Sequence, residues 1–191
     1  MAAYEGEAIK ETVIMTTIKL GSRGEDVKTL QKKLNLSVDG IVGPSTWSKL
    51  GLSTNSRTIN KIIIHCSATP ENRDYTVKDI DSWHRQRGFN CIGYHYVIYR
   101  DGTIVSGRDE SMIGAHCTGQ NANSIGVCYI GGMDVNNTHP KDTRTPAQKQ
   151  SLIKLLKELK EKYPKAVIEP HYKYANKACP SFNAEEEYKN L

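Results

Sequence analysis

The sequence predicts a mixed α/β domain, in which helices flank one central mixed β-sheet, preceded by a small helical module at the N-terminus. Short apolar runs typical of buried strands alternate with longer segments whose apolar residues recur at helical spacing. Turn and capping residues separate these segments. The length of 191 residues suits one medium-sized domain with a small appendage.

Composition excludes several classes of protein. Apolar residues make up 38% of the chain and charged residues 25%, so a core can form and global disorder is not expected. No stretch approaches the roughly 18 apolar residues of a membrane-spanning helix. Residues 1–20 contain no apolar segment or cleavage site typical of a secretory signal. We therefore expect the protein to stay in the cytosol of the producing cell until it is released, or to leave by a route that reads no N-terminal signal.

The charge and the cysteines narrow the range of partners. The formal net charge of +5 suits contact with an anionic polymer such as a bacterial wall, although an ordinary solvated surface explains it equally well. Lysines and arginines are scattered, which disfavours a nucleic-acid partner. The five cysteines are irregularly spaced without a CxxC pair, which favours reduced thiols over a disulfide framework. Nothing in the sequence demands an oligomer, so we expect a monomer.

Composition shifts divide the chain into four parts. Residues 1–15 are predicted to form a loose arm, 16–52 a small helical module and 53–59 a polar linker. Residues 60–191 form the larger domain, which is long enough to build its own core.

The module is predicted to contain two helices. The first has an apolar face at i, i+3 and i+7, formed by Val27, Leu30 and Leu34. The second begins at Pro44, since proline is favoured at the first helical position. Its predicted buried residues are Trp47 and Leu50.

The larger domain combines apolar runs with two capped helices. Thr76 is the predicted N-cap of a helix that ends at Gly88. Thr145 and Gln148 form a capping box, with Pro146 at the first helical position of a longer helix. The predicted apolar face of that helix comprises Leu152, Ile153, Leu155, Leu156 and Leu159. The predicted strands are 60–65, 94–100, 103–105, 124–130 and 166–172.

Two histidines and one cysteine form a candidate metal site. His65 ends one apolar run and His171 follows another, and ligand sites in α/β sheets gather outside strand ends. Cys179 lies eight residues after His171. Zinc favours imidazole nitrogen and thiolate sulfur, and catalytic zinc sites use three protein ligands. On these residues alone, a hydrogen-bonded structural histidine is the more common outcome, and the HExxH motif of many metalloproteases is absent.

Six short strings in the larger domain carry a family resemblance. They are Ile62–Thr69, Gly93–Tyr96, Arg100–Thr103, Gly114–His116, Asn123–Val127 and Lys177–Phe182. In their order and spacing, the chain from about Asn60 to Tyr188 resembles the zinc amidases of the phage-lysozyme and peptidoglycan-recognition-protein type. The module at 16–52 resembles a truncated peptidoglycan-binding module, the alternative being a small structural cap.

The resemblance implies a reaction and a set of roles. It implies that Zn²⁺ is the cofactor and that His65, His171 and Cys179 are its ligands. Tyr94 matches a catalytic tyrosine, and Lys177 matches a basic residue that would stabilise an oxyanion. The implied substrate is bacterial peptidoglycan, cleaved at the amide between N-acetylmuramic acid and L-alanine. The general base stays open, because an unperturbed tyrosine has a pKa near 10.

Other residues near these strings receive weaker assignments. His116 matches a family histidine near the substrate groove, and Thr69 and Ser181 are candidates for lining that groove. His95 alternates away from Tyr94 along its strand, so we expect it in the core or on the surface.

Two other functions compete with the hydrolase. Some members of the recognition-protein branch bind muropeptides without cleaving them, and these typically lack the cysteine ligand that this chain has in Cys179. A cysteine hydrolase would use a thiol as its nucleophile and would resist chelators. The absence of an export signal suits a phage or prophage endolysin, or a toxin delivered without a signal, better than a bacterial autolysin.

Overall fold

The computed structural model describes residues 22–43, Thr46, Lys49 and 57–191. The chain divides into two compact units, Met1–Ser56 and Arg57–Leu191. The predicted arm, and the predicted burial of Trp47 and Leu50, lie outside the described residues. The exact bounds of arm, module and linker therefore stay predictions.

A buried amide organises the described part of the smaller unit. Helix α1 spans Glu25–Lys33, with Val27 and Gln31 buried. The side-chain amide of Gln31 donates to the carbonyl of Ile41 and accepts from the backbone N–H of Gly40. Gln31 thus ties the helix to the turn that follows it. Of the predicted apolar face, Val27 is fully buried, whereas Leu30 and Leu34 are only partly buried.

The larger unit is built on seven strands. Their bounds are Lys61–Cys66 for β1, Thr69–Pro70 for β2, Tyr96–Ile98 for β3, Ile104–Ser106 for β4, Ser124–Tyr129 for β5, Gly132–Met133 for β6 and Val167–Pro170 for β7. The central sheet has the order β4-β3-β5-β1-β7, while β2 and β6 form a separate parallel pair. Only β4 of the central sheet runs antiparallel to its neighbour. The predicted mixed sheet is confirmed.

Helices cover the sheet and bury its central strands. Helix α2 spans Val77–Gln86, α3 spans Pro146–Lys162 and α4 spans Ala184–Tyr188. The predicted capping box at Thr145 is present, and Thr76, the predicted N-cap of α2, also forms a capping box, with Asp79. Strand β1 is buried almost throughout, as expected for a parallel strand with both faces covered. Within 22–43 and 57–191, no helix is both long enough and apolar enough to cross a membrane.

Three predicted details differ from the structure. The strand predicted over 94–100 forms only over Tyr96–Ile98. Ile153 is 39% exposed, whereas Leu152 and Leu156 are fully buried. Consecutive helical residues lie about 100° apart, so Ile153 is carried off the face that Leu152 occupies. The last strand ends at Pro170 instead of extending to 172, because residues 171–173 turn into a 3₁₀-helix.

Candidate metal centre and active site

The register of two strands brings two histidines together. Ile64 in β1 pairs with Pro170 in β7, and the two strands are parallel. The following residues, His65 and His171, therefore occupy neighbouring positions at the same edge of the sheet. Their ring centroids lie 4.4 Å apart.

Cys179 completes the cluster from the loop after β7. Its Sγ atom lies 3.8 Å from Nδ1 of His65. The candidate ligand atoms of His65, His171 and Cys179 all lie within 4.8 Å of one another. The loop is held in place by the Tyr129 hydroxyl, which donates to the carbonyl of Pro180 at 2.7 Å. The sheet edge and this anchored loop together form a compact pocket of donor atoms.

The electrostatics of the cluster suit a soft divalent metal. Burial lowers the pKa of His65 well below its usual value, and burial with the nearby Lys177 lowers that of His171. Both imidazoles are therefore neutral at neutral pH, which is the form that binds metals. Two neutral imidazoles and one thiol are a donor set that zinc prefers.

The Cys179 thiol is coupled to a neighbouring thiol. Hydrogen bonding with Cys66 raises the pKa of Cys179, and the same contact lowers that of Cys66 to about 7. The two thiols therefore lose their first proton as a pair. Cys66 is buried in the core, and no local sequence signal identifies its contact with Cys179.

Tyr94 lies beside the candidate metal ligands. Its ring centroid is 5.0 Å from that of His65 and 5.3 Å from that of His84. Burial, followed by the neighbouring Cys128 and Cys179, raises the pKa of Tyr94 well above its usual value. The phenol therefore keeps its proton at neutral pH and can donate a hydrogen bond.

Lys177 is exposed on the same loop as Cys179. Its positive charge is close enough to lower the pKa of both His171 and His65. The structure thus brings Lys177 and Tyr94 to the three candidate ligands, as the sequence had predicted.

The three residues predicted to touch substrate are more enclosed. His116 packs edge-on against His65, with ring centroids 5.0 Å apart. Thr69 is buried, and its hydroxyl lies 2.7 Å from that of Ser67. The Ser181 hydroxyl donates to the carbonyl of Gly132 at 2.9 Å. A role for these residues in substrate binding stays a prediction.

Two further histidines near the site accept hydrogen bonds from the backbone. Nδ1 of His84 accepts a hydrogen bond from the backbone N–H of Gly93, and Nδ1 of His95 accepts from that of Gly126. His95 is buried, in agreement with the expectation that it points away from Tyr94. The contact of His84 joins helix α2 to the segment before β3, and no local sequence signal identifies such a pairing.

Comparison with known proteins identifies the family of the larger unit. Residues 55–182, about two thirds of the chain, match the family of N-acetylmuramoyl-L-alanine amidases. The chain belongs to this amidase family. Residues 24–50 match a family of peptidoglycan binding domains.

Relatives of this amidase include phage proteins. The endolysin of Klebsiella phage KP32 is 45% identical over 68% of this chain and 85% of its own length. The endolysin of Escherichia phage T7 is 48% identical over 64% of this chain and 80% of its own length. Among solved structures, the N-acetylmuramoyl-L-alanine amidase LysC from Clostridium intestinale URNW is 35% identical, with a TM-score of 0.59 over 71% of this chain and 84% of that one.

Proposed function

We propose that the amidase is a zinc-dependent phage endolysin, which hydrolyses the amide between N-acetylmuramic acid and the L-alanine of the stem peptide. The observation that carries this proposal is the cluster of His65, His171 and Cys179, whose ligand atoms lie within 4.8 Å of one another. These three residues would hold the ion. When bound, zinc supplies Lewis-acid activation of the scissile carbonyl and of a water molecule.

The other site residues act on the charge that develops in the substrate. Attack on an amide carbonyl produces an oxyanion, which nearby donors and cations stabilise. Lys177 offers a positive charge close to His171. Tyr94 keeps its phenolic proton and can donate a hydrogen bond to the same oxygen. Because burial raises the pKa of Tyr94, we assign its phenol the role of a hydrogen-bond donor and leave the general base open.

The N-terminal unit would keep the enzyme close to its substrate. Its match to peptidoglycan binding domains, over residues 24–50, supports a role in wall binding. Tethering a catalytic domain to a polymer raises the local substrate concentration without adding a catalytic contact. The net charge of +5 favours the same anionic surface.

The cellular setting follows from the relatives. The similar phage proteins are named endolysins. We therefore infer that this enzyme is retained inside the producing cell until it reaches the wall and lyses it.

The decisive test is digestion of purified peptidoglycan with and without a chelator, followed by mass spectrometry of the released fragments. We expect free stem peptides that begin at L-alanine, their loss with chelator and their return with zinc. Cleavage that ignores the chelator but stops on thiol alkylation would instead identify a cysteine hydrolase. Binding to the wall without release of any fragments would indicate a non-catalytic recognition protein.

A further inference from the structure

His116 lies behind the candidate metal ligand His65, on the side away from Cys179. Nδ1 of His116 is 3.0 Å from Nε2 of His65, while Nδ1 of His65 faces the Sγ atom of Cys179. His65 is fully buried, so its Nε2 atom depends on a protein partner. Each nitrogen of His65 therefore has its own neighbour, and the proton can be on only one of them.

The hydrogen bonds beyond His116 decide where that proton is. The hydroxyl of Ser124 lies 2.8 Å from the carbonyl of Gln120 and 3.3 Å from Nε2 of His116. A carbonyl can only accept, so the single hydroxyl proton points to Gln120 and the Ser124 oxygen accepts from His116. The neutral ring of His116 then has its proton on Nε2 and a lone pair on Nδ1.

The same logic extends to His65. Because Nδ1 of His116 accepts, Nε2 of His65 must donate. A neutral imidazole carries one proton, so Nδ1 of His65 is left with a free lone pair directed toward Cys179. That lone pair is what a metal ion needs.

Close packing fixes the position of the His116 ring. A Cβ atom at Gly126 would lie 2.6 Å from the ring, and one at Gly114 would lie 2.5 Å from it, so both positions need glycine. The side chain of Asn121 accepts hydrogen bonds from the backbone N–H groups of His116 and Cys117, each at 2.9 Å. The glycines at 114 and 126 therefore both leave room for the ring of His116.

We propose that His116 is a positioning residue, which holds the proton of His65 on Nε2 and so presents Nδ1 to the metal, and that it is not a substrate contact. The inference rests on the proposed zinc site. Partners of this kind typically contribute about 10- to 100-fold in metal affinity.

The test is the zinc affinity of full-length proteins, measured by competition with a chelator. His116→Leu removes the acceptor, and we expect it to weaken zinc binding about 10- to 100-fold. His116→Asn places Oδ1 close to the position of Nδ1, and we expect it to stay within a few-fold of the wild type. His139→Leu removes an exposed imidazole and serves as the matched control, with unchanged affinity.

A second readout reports the proton directly. In the metal-free wild type, ¹⁵N NMR of the histidine rings should show His65 protonated on Nε2 and bare on Nδ1. The His116→Leu variant should show a mixture of the two tautomers. A wild-type His65 with its proton on Nδ1 would overturn the inference, and this measurement stands even where the leucine variant does not fold.

The outcomes separate the inference from the proposed function. If the wild type binds no zinc, the proposed zinc-dependent function is wrong. If the wild type and His116→Leu bind zinc equally tightly, the proposed function stands and only the positioning role of His116 is wrong. If zinc affinity is unchanged and KM for a soluble muropeptide rises, His116 contacts substrate and the inference is wrong.

Discussion

The backbone N–H of Cys66 donates a hydrogen bond to the Sγ atom of Cys179, with an N–Sγ distance of 3.2 Å. This contact joins the end of strand β1 to the loop that follows β7. A backbone donor stabilises the negatively charged form of an acceptor. The donor is thus in place for the thiolate that a metal ligand requires.

Zinc should protect the two neighbouring thiols from alkylation. In the chelated protein, we expect the pair of Cys66 and Cys179 to lose its first proton, and alkylation of the pair to begin, as the pH rises through about 7, because hydrogen bonding between the two thiols lowers the pKa of Cys66 to about 7 and raises that of Cys179. Mass spectrometry of labelled peptides measures this. Cys91, which is half-buried and outside the cluster, is the internal control and should label equally with and without zinc. Equal labelling of Cys179 in both states would argue against its role as a ligand.

Removal of the Lys177 charge should slow the reaction without releasing the metal. We expect Lys177→Met to lower kcat by about 100-fold, in the range found when one group that stabilises an oxyanion is lost. Zinc affinity should stay within a few-fold, since Lys177 acts by its charge and is not a ligand. Lys165→Met, at another exposed lysine, is the control for a general loss of charge. A kcat equal to the wild type would exclude Lys177 from the reaction.

The buried His95 should make stability fall in mild acid. Burial lowers its pKa to about 4 from the ordinary 6.5, so the unfolded chain binds the proton first. The contribution of His95 to the free energy of unfolding is complete above pH 6.5. It is lost as the pH falls toward 4, by at most about 1.4 kcal/mol per pH unit. Urea unfolding of the chelated protein at pH 7, 6 and 5 measures this loss.

The variant His95→Asn isolates the contribution of this group. It keeps an acceptor for the backbone N–H of Gly126 but cannot titrate, so its stability should fall less steeply with acid than that of the wild type. His139→Asn, at an exposed position, should follow the wild type. Parallel curves for the wild type and His95→Asn would contradict the assignment.

The buried Arg144 should be essential for the stability of the C-terminal segment. Its side chain is 1% exposed, forms ion pairs with Asp142 and Glu187, and lies over the ring of Phe182 at 3.2 Å. We expect Arg144→Met to lower the free energy of unfolding by about 2–3 kcal/mol, because the buried charge-assisted hydrogen bonds to Asp142 and Glu187 are lost while both carboxylates keep access to water. Arg85→Met, at an exposed pair with Asp81, should cost less than about 1 kcal/mol. Urea unfolding of both variants compares the two sites.

The sequence predicted the elements because their signals are local. Capping boxes at Thr76 and Thr145 fix where helices begin, and the run Ile62–Ile64 can only be a buried segment. The apolar runs before His65 and His171 predicted their place at a sheet edge, whereas the family resemblance supplied their role as ligands and that of Cys179. Ile153 was misassigned because a dense apolar stretch leaves the exact helical phase undecided.

Contacts between distant segments could not be predicted in this way. The pairing of Cys66 with Cys179, and that of His65 with His116, depend on strand register and on close approaches that only glycine permits. The family resemblance had suggested His116 as a residue near the substrate groove. Its hydrogen bonds to His65 and Ser124 give it a different environment.

The candidate ligands come from β1, the first strand of the central sheet, and from the segment that follows β7, its last strand. His65 and Cys179 are 114 positions apart, and β1 meets β7 only after the intervening strands and helices have been made. A nascent chain on the ribosome therefore has no complete site until Cys179 has emerged and the last strand has docked. A translation product that stops before Cys179 therefore lacks one of the three candidate ligands.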